Sequence, residues 1–124
     1  MWIALSDGFL SIVKDAKNRK RLLVRARRAG DIESVFPGAK VTFTPNSDYA
    51  YRARIARRTV SKALADRIER IDYPNFKDSV SDIELHNAYL TFWGVMWNLQ
   101  EREKKFEFDE KNPPPVEAGF LGAL

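Results

Sequence analysis

Hydrophobic residues in the first half of the chain recur at every second position, which is the spacing of half-buried β-strands. In one such run, Leu22, Val24 and Ala26 alternate with residues that are mostly basic. Between the first two runs stands Asp7-Gly8, and an Asp-Gly pair between apolar runs is a strong hairpin signal. The predicted strands are residues 2–5, 9–14, 22–28, 41–44 and 51–57.

Three segments carry helix signals instead. Residues 30–36 predict a short helix that a Pro-Gly pair ends. In residues 59–71 the apolar side chains recur at helical spacing, and Pro74 breaks the pattern soon afterwards. Ser81 and Glu84 stand three positions apart, which fits a capping box, so we expect the last helix to begin there.

The order of predicted elements is β-β-β-α-β-β-α-α, which indicates an α+β fold. We expect an antiparallel sheet in a ferredoxin-like arrangement with an extra N-terminal hairpin, covered by two helices on one face. The length of the chain suits a single domain, which we place at residues 1–105. Residues 106–124 contain three consecutive prolines and are expected to form an extended, mobile tail.

The last predicted helix is apolar on nearly all sides. One row contains Tyr89, Trp93 and Met96, and a second row contains Leu85 and Phe92. A helix of this kind must be covered on more than one side. We expect one row to pack on the sheet and the other to meet the preceding helix or a second copy of the chain. The chain is therefore expected to be a monomer or a homodimer.

Composition restricts the class of protein. The chain has 124 residues, of which 44% are hydrophobic and 31% charged, so it is globular rather than disordered. It has no cysteine and one histidine, His86, so neither a disulfide nor a zinc site is expected. The start of the chain lacks signal-peptide features, and its most apolar window falls short of the roughly 20 residues that span a bilayer. We expect a soluble, cytoplasmic protein with no metal and no cofactor.

Charge is distributed unevenly along the chain. Residues 1–70 carry 16 Lys and Arg against 7 Asp and Glu, a net charge of +9. Residues 71–124 carry 5 against 10, a net charge of −5. The basic first part favours a partner that offers phosphate or carboxylate groups, and the acidic second part argues against uniform coating of nucleic acid.

Arginines on two predicted strands are the main candidates for a binding site. We call Arg25, Arg27, Arg52 and Arg54 the arginine face. Further basic residues lie near the ends of the two strands: Lys20, Arg28, Arg57 and Arg58. Guanidinium groups suit phosphate and carboxylate because they form bidentate hydrogen bonds with them. The alternative is a solvated sheet face in which these arginines pair with acidic neighbours, including those of the second part of the chain.

Residues 72–77 join two predicted helices and offer Tyr73 and Lys77 as further partner-binding candidates. The segment is either a recognition loop or a fixed turn whose aromatic side chains pack down. A polar cluster of these residues with Asp48 and Tyr49 would suit proton transfer or phosphate binding. That alternative is a small toxin-like nuclease, although no nucleophile–base pair is recognisable.

Several blocks of the sequence resemble a family of small uncharacterised bacterial and phage-borne proteins. The most specific block is Ile71-Asp72-Tyr73-Pro74-Asn75-Phe76-Lys77, and the others include Met1-Trp2-Ile3, Thr44-Pro45 and Tyr51-Arg52. The similarity covers about residues 1–100. It implies a compact cytoplasmic protein and assigns no catalytic residues.

Together these observations favour a non-enzymatic binding protein of a phage, a mobile element or a bacterial accessory gene. Its expected partner is a protein or protein–nucleic-acid complex with an acidic surface. Binding to a membrane is not expected. The resemblance and the small size imply a narrower form, an inhibitor of a host defence complex of the CRISPR type. The alternatives are the toxin-like nuclease and a protein that binds RNA or DNA directly.

Overall fold

A computed structural model describes residues 1–111, apart from the side chains of residues 106–109. Within that part of the chain there are five strands, three α-helices and one short 3₁₀ turn at Lys77–Ser79. The strands are β1 (Trp2–Leu5), β2 (Gly8–Lys14), β3 (Arg21–Ala26), β4 (Thr42–Phe43) and β5 (Tyr51–Ala56). The helices are α1 (Asp31–Val35), α2 (Arg57–Glu69) and α3 (Ile83–Lys111).

The chain is divided into two compact units. The first, Met1–His86, contains the whole sheet, α1, α2 and the first turn of α3. The second begins at Asn87 and contains the remainder of α3. No helix in the described part of the chain is both long enough and apolar enough to cross a membrane.

The five strands form one antiparallel sheet in the order β1-β2-β3-β5-β4. The α+β class and the antiparallel sheet are therefore confirmed, whereas the ferredoxin-like arrangement and the covering of one face by two helices stay predictions. Strand β3 ends at Ala26 because its partner strand begins at Tyr51, opposite that residue. Arg27 consequently lies just beyond the sheet rather than within it.

One face of the sheet supplies most of the core. The register places Ile12, Val24 and Ala53 side by side, so these residues share a face. They belong to a buried cluster that also contains Ile32 of α1 and Val60 of α2. Complete burial of one such side chain stabilises the fold by about 1.5–3 kcal/mol.

Helix α2 buries only part of its predicted apolar stripe. Val60 is buried and Leu64 packs against the core. Ile68 and Ile71, in contrast, are 66% and 51% exposed. The helix predicted at residues 59–71 spans Arg57–Glu69 instead, so Ile71 lies beyond its end.

Helix α3 begins where it was predicted, but a different residue caps it. The residue that caps it is Asp82, not Ser81: Asp82 Oδ1 accepts a hydrogen bond from the Leu85 amide at 2.9 Å. This hydrogen bond, together with the Arg28 guanidinium, lowers the pKa of Asp82 below its usual range. At its other end the helix continues to Lys111, beyond the predicted end near residue 105. Residues 112–124 of the predicted tail lie outside the described residues.

Gly8 lies against a buried carboxylate. Asp31 at the start of α1 is buried, and its Oδ2 accepts a hydrogen bond from the Phe9 amide at 3.1 Å. Burial raises the pKa of Asp31. A Cβ atom on Gly8 would stand 3.0 Å from Asp31 Cγ, closer than normal contact allows.

We expect Gly8→Ala to lower the free energy of unfolding by about 1–2 kcal/mol, because the added methyl group forces a well-packed carboxylate to move. Urea unfolding measures the change. Gly38→Ala is the matched control, since a Cβ there meets no atom within 4 Å. Equal stabilities for the two variants would contradict the predicted clash.

Candidate functional site

The ring of Tyr49 lies against two arginines of the predicted arginine face. The guanidinium carbon of Arg25 is 4.4 Å from the Tyr49 ring centroid, and that of Arg27 is 4.2 Å away. These distances are typical of cation–π contacts. The Tyr49 side chain is buried, with 4% of the residue exposed. The arrangement orders both guanidinium groups around one aromatic ring.

The same guanidinium groups also form hydrogen bonds within the chain. Arg25 Nη2 donates to Ser11 Oγ at 2.9 Å, and Arg27 Nη1 donates to the Asp48 carbonyl oxygen at 2.7 Å. Arg52 pairs with Asp48 Oδ1 at 3.0 Å and also donates to the Tyr49 carbonyl oxygen. These contacts of Arg25, Arg27 and Arg52 stabilise this part of the fold, and Arg27 is still exposed to solvent.

Asp15 is a buried carboxylate beside two other arginines. Its side chain is 1% exposed, and it lies 3.1 Å from Arg21 Nε and 3.5 Å from Arg54 Nε. The contact with Arg21 is an ion pair without the alignment of a hydrogen bond. The Lys17 amide, which donates to Asp15 at 3.0 Å, and then the two arginines lower the pKa of this carboxyl.

The acidic partners of the arginine face thus come from the first part of the chain. Asp15 pairs with Arg54, and Asp48 pairs with Arg52. Both acids stand near these arginines in the fold because of turns: Asp15 follows β2, and Asp48 precedes β5. No acid of the second part of the chain forms an ion pair with an arginine-face residue within the described range.

A second set of basic residues gathers where β3 begins and β5 ends. We call it the basic surface: Lys17, Arg19, Lys20, Arg21, Arg54, Arg57 and Arg58. The antiparallel register pairs Arg21 with Ala56, so the turn before β3 lies beside the first residues of α2. Two hydrogen bonds from Arg57 hold the two segments together. Its amide donates to the Lys20 carbonyl at 2.8 Å, and its Nε donates to the Arg19 carbonyl at 3.0 Å.

The charge of this region is almost entirely positive. Residues 14–21 and 54–62 contain nine Lys and Arg and a single acid, Asp15. Helix α2 starts inside the region with no side-chain cap and no acidic residue in its first turn. The Arg57 amide already donates to the Lys20 carbonyl, and the amide N–H groups that follow it in the first turn add their partial positive charge to that of the arginines. An anion at this surface would meet an excess of positive charge and of hydrogen-bond donors.

Tyr73 and Lys77 lie in another part of the fold. Tyr73 lines a cleft of about 680 Å³ together with Ser6, Asp7, Arg67 and Arg70. The turn is held by its own contacts. Asn75 Oδ1 accepts a hydrogen bond from the Lys77 amide at 2.9 Å, and the Tyr73 and Phe76 rings meet in a tilted arrangement with centroids 5.9 Å apart. These contacts favour the fixed turn over the recognition loop.

The polar cluster that would serve a nuclease is divided between two sites. Asp48 and Tyr49 precede β5, whereas Tyr73 lies with Ser6 and Asp7 at the end of β1. Two strands separate β1 from β5, a distance of roughly 14 Å at the usual strand spacing. His86 Nδ1 lies 2.9 Å from the Lys77 carbonyl oxygen, which gives it a structural hydrogen bond. The described residues contain no cluster of three metal-ligating side chains.

Comparison with known protein families, with curated proteins and with solved structures finds no match to this chain. The site is therefore interpreted from its own geometry. The structure joins Arg54, Arg57 and Arg58 with the turn at residues 17–21, of which only Lys20 was predicted to lie near the arginine face. The basic run in that turn is visible in the sequence, but its position beside α2 depends on the pairing of β3 with β5.

Proposed function

We propose that this chain is a non-enzymatic protein that binds the backbone phosphates of a nucleic acid, free or within a protein–nucleic-acid complex, through the basic surface. The observation that carries the proposal is the concentration of nine cations and one buried acid around the uncapped start of α2. Phosphate contacts supply most of the non-specific affinity of proteins for nucleic acids.

The chemistry of the basic surface favours phosphate over bases. Arginine guanidinium groups bind phosphate bidentately, and the start of a helix offers N–H donors to the same kind of anion. Residues 14–21 and 54–62 contain no aromatic side chain on which a base could stack. Binding is therefore expected to be insensitive to base sequence.

The exposed members of the basic surface are available for such contacts. Lys20 and Arg58 are exposed, and their side chains form no ion pair within the described part of the chain. Arg54 and Arg21 share Asp15, so two cations face one carboxylate and leave an excess positive charge.

The narrower form of the function, inhibition of a CRISPR-type defence complex, rests on the sequence resemblance and stays a prediction.

We expect the double variant Lys20→Ala/Arg58→Ala to bind duplex DNA about tenfold or more weakly than the original chain at low salt. Loss of two phosphate contacts is also expected to reduce the slope of log affinity against log salt by about 2. Fluorescence anisotropy with a labelled duplex of about 20 base pairs measures both quantities.

The matched control is Lys40→Ala/Arg70→Ala, which removes the same charge from exposed residues outside the basic surface. It should retain the original affinity apart from a small general effect of net charge. Equal losses in the two variants would mean that net charge alone attracts the nucleic acid. Absence of binding by the original chain at low salt would overturn the proposal and favour an acidic protein as the partner.

A further inference from the structure

The second unit of the chain presents large apolar side chains to solvent. Along α3, Leu90, Trp93 and Trp97 are 39%, 51% and 47% exposed. The two indole rings stack on each other, with centroids 5.6 Å apart and planes inclined by 11°. These residues follow one another at spacings of three and four, so they lie on one side of the helix. Aromatic side chains exposed to this extent are typical of an interface.

The centre of this side is a glycine. Gly94 occupies the middle of a long helix, where glycine is unfavourable relative to alanine. A Cβ atom at Gly94 would meet no atom within 4 Å beyond its own turn, so packing within the described chain does not require glycine there. Glycine at such a position permits the backbone of another helix to approach closely.

The segment around Gly94 is also free of charge. Residues 87–100 contain no Asp, Glu, Lys or Arg, and Gly94 stands at their midpoint. Charged residues resume only at Glu101 on the C-terminal side, where Glu101 pairs with Lys104. Lys104, which pairs with Glu101, places its ammonium nitrogen 5.9 Å from the Trp97 ring centroid at the C-terminal edge of this segment. Within the segment itself, a charged partner would find no complementary charge. The segment is complementary to a surface that is equally apolar and uncharged.

We propose that this side of α3, formed by Leu90, Trp93, Gly94 and Trp97, binds the same side of a second copy of the chain in an antiparallel crossing centred on Gly94. The uncharged segments of the two copies then cover each other along their whole length. A parallel pairing would place Glu101 beside Glu101 and Lys104 beside Lys104, whereas the antiparallel crossing keeps these charges apart. Twofold symmetric dimers are the commonest oligomers.

The exposed area is sufficient for a dimer. Two half-exposed tryptophans, Leu90 and the flanking Met96, which lines a groove with both tryptophans, leave roughly 400 Å² of apolar surface per chain, since each aromatic side chain offers roughly 150–250 Å² when fully counted. Two copies then bury roughly 800 Å² of apolar surface. Homodimer interfaces are about 65% apolar, so the total surface that the two copies bury, polar and apolar together, is roughly 1,200 Å². That value lies at the lower end of the standard interface size.

The experiment is sedimentation equilibrium of the full chain at concentrations from about 1 to about 100 µM. The expected species is a dimer of twice the 14.3 kDa chain mass. Trp97→Glu should raise the dimer dissociation constant by about 30-fold or more, because it places a charge in a central apolar contact. Val95→Glu is the matched control: this residue is 55% exposed on the opposite side of α3 and should leave the dimer intact.

Gly94→Leu separates loss of the dimer from loss of the fold. A side chain there blocks the close crossing, while it has free space within the chain and raises helix propensity. The variant should be monomeric with a melting temperature no lower than that of a monomeric Trp97→Glu chain. A monomeric original chain throughout the concentration range would overturn the proposal. So would a dimer that both Trp97→Glu and Gly94→Leu leave unchanged.

Discussion

Replacing Tyr49 by alanine is expected to lower the free energy of unfolding by about 3 kcal/mol. The ring is buried and lies against the guanidinium groups of both Arg25 and Arg27. Alanine removes both cation–π contacts and leaves a cavity beside the two arginine side chains. Chemical denaturation followed by circular dichroism measures the loss.

Tyr49→Phe is the control for this result. Phenylalanine keeps the aromatic ring and therefore the stacking with Arg25 and Arg27, so its expected cost is below about 1 kcal/mol. Phosphate binding by folded Tyr49→Phe should equal that of the original chain. A large loss of stability in both variants would show that the hydroxyl, and not the ring, carries the contribution of Tyr49.

Replacing Asp15 by asparagine is expected to change stability and nucleic-acid affinity in opposite directions. The amide cannot pair with Arg21 and Arg54 as the carboxylate does, and the melting temperature should fall by roughly 5–10 °C. The same substitution removes the single acid of residues 14–21 and 54–62, so affinity for duplex DNA should rise. Differential scanning calorimetry and anisotropy measure the two effects on one preparation.

The effect of Asp15 on stability depends on pH in a defined direction. Its pKa in the folded chain is lowered from the ordinary value of 3.8, first by the Lys17 amide and then by Arg21 and Arg54. A lowered folded pKa gives stability that is fully present above 3.8 and is lost as pH falls through the lower folded value. The difference between the original chain and Asp15→Asn should therefore stay constant near neutral pH and shrink below about pH 4. A difference that grows on acidification would contradict the ion pairing seen at Asp15.

Local patterns predicted the elements of this fold well because their causes are local. The Asp7-Gly8 pair marks the tight turn between β1 and β2, and the alternation at Leu22, Val24 and Ala26 follows the pleat of one strand. The ends of the elements were predicted less well. Strand β3 stops where its pairing with β5 stops, and that limit belongs to the other strand.

The candidate site was predicted only in part for the same reason. The arginines were visible in the sequence, and the pairs Asp48–Arg52 and Asp15–Arg21 are close along the chain. The pairing of Asp15 with Arg54, in contrast, joins residues that are distant along the chain. The sequence suggested a polar cluster for Tyr49 as one alternative, whereas the structure places its ring against Arg25 and Arg27. A single sequence contains no signal for such a contact across strands.

The sequence by itself determined the class of this protein: an α+β chain whose first part is basic and whose last helix is apolar around an uncharged segment at residues 87–100. Those properties depend on residue type and on periods of two and 3.6 residues. Only the tertiary structure decided which cations are neutralised. Pairing of β3 with β5 brings the turn at residues 17–21 beside the start of α2, and burial places Asp15 between Arg21 and Arg54. Electrostatic attraction depends on distance in space, and residues far apart in the sequence acquire that distance only when the sheet forms.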